Sequence, residues 1–143
     1  MKERILVVSE GEGFRMVFCP VLSSAGYQCR EAASPKEALS ILTSREVGVV
    51  LWSLWESCEA QSVERAIEAF PDIPVVVTVA PGLHCSEFGE SLRKRAYGYL
   101  VETIEREQLI AVLRRASEYR RLKLEDRARA HSEPCQRTAG ANS

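Results

Sequence analysis

The sequence predicts an α/β fold, in which five parallel strands form one doubly wound sheet with helices on both faces, a (βα)5 arrangement. Two observations support this prediction. Short runs rich in apolar residues, typical of strands that are buried on both faces, recur five times along the chain. Segments with helical spacing follow these runs, and strands that alternate with helices build a parallel sheet. The chain has 143 residues, which is the length of one domain.

The predicted elements follow one another in a regular order. Predicted strands lie at 5–8, 27–32, 47–53, 73–79 and 97–101. The second is the most polar, which indicates a position near an edge of the sheet. Predicted helices cover 14–25, 34–42, 63–70, 87–95 and 105 to about 122. The second helix opens with Ser34, Pro35 and Glu37, which combine an N-cap, a first-turn proline and a capping-box glutamate.

The chain divides into a predicted domain at 1–124 and a flexible polar tail at 125–143. From Arg127 onward it has no large aliphatic or aromatic residue, so the tail lacks the apolar surface that would order it.

Composition excludes several classes of function. The net charge is −1, with 45% hydrophobic and 27% charged residues, so nothing in the overall balance calls for nucleic acid or a membrane. No apolar run approaches the roughly 20 residues that cross a bilayer. Ile5–Val8 is too short for the apolar region of a signal peptide. Five cysteines without a C-x-x-C pair favour reduced thiols, so we expect a cytoplasmic protein without a metal site or cofactor.

The candidate site lies at the carboxyl ends of the strands, because ligands bind there in open parallel sheets. These ends carry Ser9, Glu10, Ser53, Val79 and Glu102. Ser53 ends a strand that reads as fully buried. It is either a hydroxyl in a ligand pocket or a small residue that fills space. Glu10 and Glu102 are either two facing carboxylates, which would make a pH-sensitive or cation site, or two separate glutamates in water.

Four motifs in this order resemble the receiver domain of bacterial response regulators in two-component signalling. They are RILVVSE, with Gly26-Tyr27 further on, EAASPKEALSIL at 31–42, PDIPVVVTVA at 71–80 and AYGYL at 96–100. The resemblance covers about Lys2–Leu122 and implies a flavodoxin-like fold. It also implies a phosphoacceptor aspartate after the third strand, a Mg²⁺-binding acidic pair, a Thr or Ser after the fourth strand and a lysine after the fifth.

Each of these family positions departs from the family pattern. The acidic pair falls on Ser9 and Glu10, and the phosphoacceptor falls on Ser53. The hydroxyl position falls on Val79, or on Ala80, and the lysine falls on Glu102. Tyr99 takes the place of the aromatic that reorients in active receivers, and we expect it to be merely structural. The resemblance therefore implies a degenerate pseudo-receiver that is not an enzyme, has lost the Mg²⁺ site and acts through protein–protein contact.

The resemblance also implies partners and an interface. Expected partners are signalling proteins such as a histidine kinase or an output protein, or a second copy bound through the fourth helix, fifth strand and last helix. The candidate interface residues are Trp55, Phe88, Leu92, Arg93, Tyr97 and Arg114. Two alternatives stay open. One is an atypical receiver that is still modified, or that binds a small ligand or cation at the strand ends. The other is a DNA-associated regulator that uses the basic C-terminal segment, although the near-neutral chain makes nucleic acid the lesser expectation.

Overall fold

The computed structural model describes residues 3–44, 46–54, 59–80, 92, 94–102 and 104–132. Its centre is one parallel sheet with the strand order β2-β1-β3-β4-β5. The strands are β1 (Arg4–Val8), β2 (Gln28–Ala32), β3 (Val49–Leu54), β4 (Val75–Val79) and β5 (Gly98–Val101). The predicted five-stranded parallel sheet is confirmed, and the polar strand β2 lies at its edge.

The described helices cover both faces of the sheet. They are α1 (Glu12–Ser24), α2 (Pro35–Thr43), α3 (Glu59–Ala69) and α4 (Arg106–Ser132). Apolar side chains of α2 and α3 form one buried cluster with Trp52, and those of α1 and α4 form a second cluster with Leu51. We name the two sides of the sheet the α2–α3 face and the α1–α4 face. This doubly wound arrangement agrees with the predicted fold class.

The central strand β3 and its neighbour β4 lie in the core of the molecule. Every residue of β3 and β4 is buried. A strand that is covered on both faces has no solvent side, which explains its continuous apolar run. Trp52, in the middle of β3, is fully buried, as the sequence predicts.

The capping box at the start of α2 is confirmed. The backbone N–H of Glu37 donates to Ser34 Oγ at 3.2 Å, and the Glu37 carboxylate accepts from the backbone N–H of Ala33 at 3.3 Å. Pro35 occupies the first turn of the helix. These contacts satisfy donors that a helix start otherwise leaves open.

Helix α4 is longer than the sequence predicts. It ends at Ser132 and not near Leu122, so it crosses the predicted boundary between residues 124 and 125. Arg127 Nη1 lies 2.5 Å from Asp72 Oδ2, in the turn before β4. Arg121 also pairs with Glu118 and Glu125 along the helix. These contacts support a helix that has little apolar surface to bury. The flexible tail stays a prediction for 133–143, which lie outside the described residues.

The amino ends of the strands are closed by charged side chains. Glu3 Oε1, just before β1, lies 3.7 Å from Arg120 Nη1 on α4. A Cβ at Gly48 would meet both of these side chains, so the glycine leaves room for the pair. Two grooves, with cavity volumes of about 160 and 370 Å³, lie on this side and share Pro71 and Ile73 as lining residues.

Candidate functional site

Three buried hydroxyl side chains lie at the carboxyl ends of neighbouring strands. Ser9, Ser53 and Thr78 are at most 1% exposed, and within the described residues no other polar or charged residue is buried. Ser53 is the register partner of Thr78. Ser9 follows Val8, whose register partner Trp52 precedes Ser53. Because adjacent strands lie about 4.8 Å apart, the three residues form one row across β1, β3 and β4, which we name the hydroxyl row.

The hydroxyl row belongs to the α1–α4 face. Side chains alternate between the two sides of a strand. Leu51 lies in the α1–α4 cluster and Trp52 lies in the opposite one, so Ser53 shares the side of Leu51. On β4, Val79 lies in the α2–α3 cluster, and Thr78 therefore faces the other way, beside Ser53.

Thr78 is the residue that sequence reasoning missed. The resemblance places the family's hydroxyl position at Val79 or Ala80, and the structure places a further hydroxyl residue, Thr78, beside Ser53. The sequence could have drawn attention to Thr78, since it is the one polar residue in the strand VVVTV. Its partner depends on strand register, which no local pattern shows.

Two members of the hydroxyl row lack a hydrogen-bond partner in the described part of the chain. These atoms are Ser53 Oγ and Thr78 Oγ1, and both are shielded from solvent. The backbone N–H of Ser9 donates to the carbonyl of Ala32 at 3.1 Å, which extends the pairing of β1 with β2. An unsatisfied buried hydroxyl costs about 1–3 kcal/mol, so the row is a place where a hydrogen-bonding group would be favoured.

The two glutamates lie beyond strands that are not neighbours. Glu10 is exposed and Glu102 is partly buried. The backbone N–H of Glu102 donates to the carbonyl of Val79 at 2.9 Å, which fixes Glu102 at the end of β5. Strands β3 and β4 stand between β1 and β5. At about 4.8 Å per strand the two backbones lie roughly 14 Å apart, which favours two separate carboxylates over a facing pair.

Tyr99 packs into the core on the other side of the sheet. It is the register partner of Val77, and its ring packs against the α2–α3 cluster. Its hydroxyl oxygen is buried. The side chain is therefore partly buried, with its hydroxyl shielded from solvent.

The residues at the family's metal position do not fit Mg²⁺. This ion prefers octahedral oxygen ligands, usually with one or two carboxylates and phosphate oxygens. Of the two residues at the position of the acidic pair, Ser9 is a buried hydroxyl and Glu10 is the single carboxylate. Across the described ranges, no three His, Cys, Asp or Glu side chains come together.

The comparisons with known proteins agree with this architecture. No protein-family model matches the chain. An NtrX-like response regulator of Rickettsia bellii (strain RML369-C) is 25% identical over 126 residues, which cover 85% of this chain and 26% of that protein. The chain therefore spans about a quarter of the length of the curated relatives it matches.

Two solved structures show which part of such proteins the chain matches. NtrX from Brucella abortus in complex with ADP matches with a TM-score of 0.79 and 25% identity, over 91% of this chain and 29% of that one. The receiver domain of NtrX from the same organism matches with a TM-score of 0.71 and 26% identity, over 80% of this chain and 98% of that one. By fold and by sequence, the chain is similar to the receiver domains of response regulators. Among its described helices, none is both long and apolar enough to cross a membrane.

The predicted interface of this receiver domain divides into three groups. Leu92 is fully buried in the α2–α3 cluster, so it belongs to the core and not to a docking surface. Tyr97 is 38% exposed, and Arg114 is exposed on α4. The remaining candidates lie outside the described residues: Trp55, Phe88 and Arg93.

Three of the basic side chains on the described part of α4 are engaged with acidic ones. Arg120 pairs with Glu3, and Arg127 pairs with Asp72. Arg121 lies between Glu118 and Glu125. These contacts offset positive charge that a nucleic-acid surface would present to phosphates.

Proposed function

We propose that this receiver domain is a pseudo-receiver, which takes part in two-component signalling through protein–protein contacts and without phosphoryl transfer at Ser53. The hydroxyl row carries the proposal. At the phosphoacceptor position stands a buried serine, with Thr78 beside it and Ser9 in place of an acid. A serine hydroxyl becomes a good nucleophile when an adjacent base accepts its proton. Within the described residues, no side chain accepts a hydrogen bond from Ser53 Oγ.

The charges at this end of the sheet also favour the proposal. Phosphoryl transfer needs positive groups that stabilise the developing negative charge. Glu102 stands at the position of the family's lysine, and Glu10 is the acid beyond β1. The Glu102 carboxylate repels a phosphoryl group, whereas a lysine at this position would attract one.

The inward position of Tyr99 supports a domain with a single conformation. By resemblance, this aromatic reorients when a hydroxyl at the end of the fourth strand moves. Val79 stands at that position and cannot form such a hydrogen bond, and Tyr99 packs in the core. Regulation then depends on partner binding or on the amount of protein.

Mass spectrometry after incubation with Mg²⁺ and a small acyl phosphate tests the chemistry. We expect no mass gain of one phosphate on the wild-type protein or on Ser53→Ala. A receiver with an intact acceptor aspartate, treated in the same tube, shows that the donor is active. A phosphate on the wild-type protein that Ser53→Ala abolishes would contradict the proposal.

A variant in which the family's residues are restored provides the positive counterpart of this test. Ser9→Asp, Ser53→Asp and Glu102→Lys together restore an acid, the acceptor and the lysine. If these groups are what the chain lacks, the triple variant gains a phosphate, whereas Ser53→Asp alone gains none. Equal labelling of the two variants would show that the other positions are not the missing groups.

The partners we propose are a histidine kinase or an output protein of the same signalling class. Because binding needs no phosphate, Ser53→Ala should bind such a partner with wild-type affinity. Tyr97→Ala and Arg114→Ala test the exposed part of the predicted interface, with Arg65→Ala on α3 as an exposed control. Isothermal titration against the kinase domain measures the difference. Tighter binding after treatment with an acyl phosphate would contradict a phosphate-independent contact.

A second candidate function is favoured by the unsatisfied hydroxyls of Ser53 and Thr78. A small uncharged ligand or a cation at the strand ends would satisfy them. A thermal-shift screen with metabolites and metal ions tests this function. A shift that Ser53→Ala removes supports it, and the absence of any shift counts against it.

A further inference from the structure

The larger of the two grooves at the amino ends of the strands lies between three segments of the chain. Pro71 and Pro74 line it from the turn before β4, residues 95–97 line it from the segment before β5, and Tyr119 and Lys123 line it from α4. Its volume of about 370 Å³ falls within the range of roughly 300–1,000 Å³ that is usual for small-molecule sites. We name it the amino-end groove.

The backbone and side chains around the groove are held in place by hydrogen bonds. The backbone N–H of Tyr97 donates to the carbonyl of Val75 at 2.9 Å, which joins the segment before β5 to the start of β4. Arg95 Nη1 donates to the Glu68 carboxylate at 2.6 Å, which joins the same segment to α3. A groove whose walls are already ordered loses little conformational entropy when a ligand binds.

Two stacked tyrosine rings line the groove. The rings of Tyr97 and Tyr119 have 5.2 Å between their centroids and 19° between their planes. Tyr97 is 38% and Tyr119 is 46% exposed, so part of each ring stays uncovered. The other walls are mainly aliphatic, with side chains such as Ile67 and Ile73. These walls suit an apolar body, and a third aromatic ring could pack on the stack in the offset or edge-on arrangement that aromatic pairs prefer.

The charged side chains that line the groove are both positive. They are Arg95 and Lys123, and among the described residues no acidic side chain lines it. Arg95 is engaged with Glu68, whereas Lys123 pairs with no acid in the described ranges. Lys123 Nζ instead lies 5.3 Å from the centroid of the Tyr119 ring and donates to its hydroxyl at 3.3 Å. The groove therefore complements a negative group on its ligand.

We propose that the amino-end groove binds a small aromatic monocarboxylate. The ring packs against the two tyrosines and the aliphatic walls, and the carboxylate accepts a hydrogen bond from Lys123 Nζ. An ammonium group has three N–H donors, so Lys123 can bind the carboxylate and keep its bond to Tyr119. The guanidinium of Arg95 likewise has donors beyond the one bound to Glu68.

The site depends on the side chains of this chain and not on its fold. Open parallel sheets bind their ligands at the carboxyl ends of the strands, whereas this groove lies at the amino ends. It contains no residue of the hydroxyl row. The proposal therefore stands or falls independently of the proposed function.

Binding should be weak and sensitive to salt. Lys123 is exposed, so its attraction for a carboxylate is modest and is screened by added salt. A molecule with about ten non-hydrogen atoms makes few contacts, and we expect a dissociation constant on the order of 1 mM for phenylacetate.

Titration of the ¹⁵N-labelled full chain with phenylacetate at low salt, followed by amide chemical shifts, tests the site. We expect the shifts to concentrate at Ile73, Val75, residues 95–97 and around Lys123. Three matched probes each lack one feature: phenylacetamide lacks the charge, cyclohexylacetate lacks the aromatic ring, and acetate lacks the apolar body. Each should bind about threefold more weakly or worse.

Substitutions assign the contacts. Lys123→Gln removes the charge, so it should weaken phenylacetate binding about three- to fivefold and leave phenylacetamide binding unchanged. Tyr119→Leu keeps an apolar side chain but removes the ring, so phenylacetate should lose its advantage over cyclohexylacetate. Arg115→Gln is the matched control, because Arg115 is exposed on the same helix and does not line the groove. An unchanged melting temperature confirms that each variant is folded.

Four results would overturn the proposal. They are the absence of shifts up to about 20 mM phenylacetate, shifts that concentrate at the carboxyl ends of the strands, phenylacetamide that binds as tightly as phenylacetate, and an Arg115→Gln variant that loses as much affinity as Lys123→Gln. Acetate that binds as tightly as phenylacetate would overturn the apolar part of the site.

Discussion

The polar side chains at the two ends of the sheet differ in how their hydrogen-bonding groups and charges are satisfied. At the carboxyl ends, the hydroxyls of Ser53 and Thr78 are buried and have no hydrogen-bond partner within the described residues. At the amino ends, Glu3 pairs with Arg120 across two elements, and the turn before β4 is tied to α4 by an ion pair. One end carries unsatisfied neutral groups, and the other carries paired charges.

This difference shows that the location of a site and the residue types that occupy it can change independently. The carboxyl ends keep the place where an open parallel sheet binds ligands, but the side chains there are small hydroxyls and two separate carboxylates. The amino ends have no such role in the fold, and their ion pairs hold α4 along the sheet. Under the proposed function, the fold keeps its architecture at both ends, while the groups for phosphoryl transfer are replaced at the carboxyl ends.

The largest expected effect comes from a charge placed in the hydroxyl row. Ser53→Asp puts a carboxylate at a position that is 1% exposed. A buried charge without a partner costs about 3 kcal/mol or more, so the free energy of unfolding in urea at pH 7 should fall by that order. Burial raises the pKa of this aspartate above its unfolded value, so the loss should shrink as the pH falls toward 4. Ser53→Asn is the neutral control, and equal losses for both variants would contradict this view.

A smaller effect is expected at the amino ends. Arg120→Ala removes the ion pair with Glu3 and the packing of the arginine stem, and it should lower the free energy of unfolding by about 1–2 kcal/mol. Arg121→Ala removes exposed contacts with two glutamates of the same helix, and it should cost less than about 0.5 kcal/mol. Chemical denaturation of the two variants measures the contrast. Similar losses for the two arginines would show that the Glu3 pair contributes little.

Thr78→Val should change stability little, and in the favourable direction. The substitution replaces an unsatisfied buried hydroxyl with a methyl group of similar size, so we expect a gain of up to about 1 kcal/mol. The reverse change one residue earlier, Val77→Thr, puts a hydroxyl into the apolar α2–α3 cluster and should cost about 1–3 kcal/mol. Urea denaturation of both variants gives the comparison. A clear loss for Thr78→Val would show that its hydroxyl is satisfied in solution.

The smallest effect concerns the half-buried thiols between α1 and β2. Burial, with a further contribution from Cys29, raises the pKa of the Cys19 thiol from 9.0 to about 12. Cys29 Sγ donates to the carbonyl of Cys19 at 3.6 Å, and burial raises the pKa of this thiol as well. Because the thiolate is the reactive form, both should alkylate more slowly at pH 8 than in the urea-unfolded chain. Peptide mass spectrometry with iodoacetamide follows the two rates.

The same shift predicts how stability depends on pH. The unfolded chain loses the Cys19 proton near pH 9, whereas the folded chain keeps it until about pH 12. The folded state therefore binds more protons in this interval, and the free energy of unfolding should fall as the pH rises above 9. Cys19→Ser is the control, and it should show a flatter profile. An unchanged slope would contradict this assignment.

Most of the strands and helices could be predicted from local sequence patterns. The buried strands were predicted to within about two residues because a continuous apolar run reflects cover on both faces. The start of α2 was predicted because Ser34 and Glu37 satisfy backbone donors locally. The end of α4 was misplaced by about ten residues, since its continuation is held by a distant contact between Arg127 and Asp72.

The candidate site was predicted less completely than the fold. Ser9 and Ser53 were expected at the strand ends and lie there, because strand ends follow from apolar runs. Leu92 was expected on a surface and is buried, because the spacing of a short helix does not show which side faces the core. Glu10 and Glu102 were left as a facing pair or two separate groups. Strand order, which places β3 and β4 between them, favours the second.

The sequence by itself determined the succession of strands and helices, the buried centre of the sheet and the residue types at its carboxyl ends. These depend on periodicity, capping and burial, which act between residues that are near one another in the chain. Only the tertiary structure decided that Thr78 lies beside Ser53 and that Arg120 meets Glu3. The physical reason is that register and helix packing join residues far apart in the chain, and no local pattern records which of them will meet.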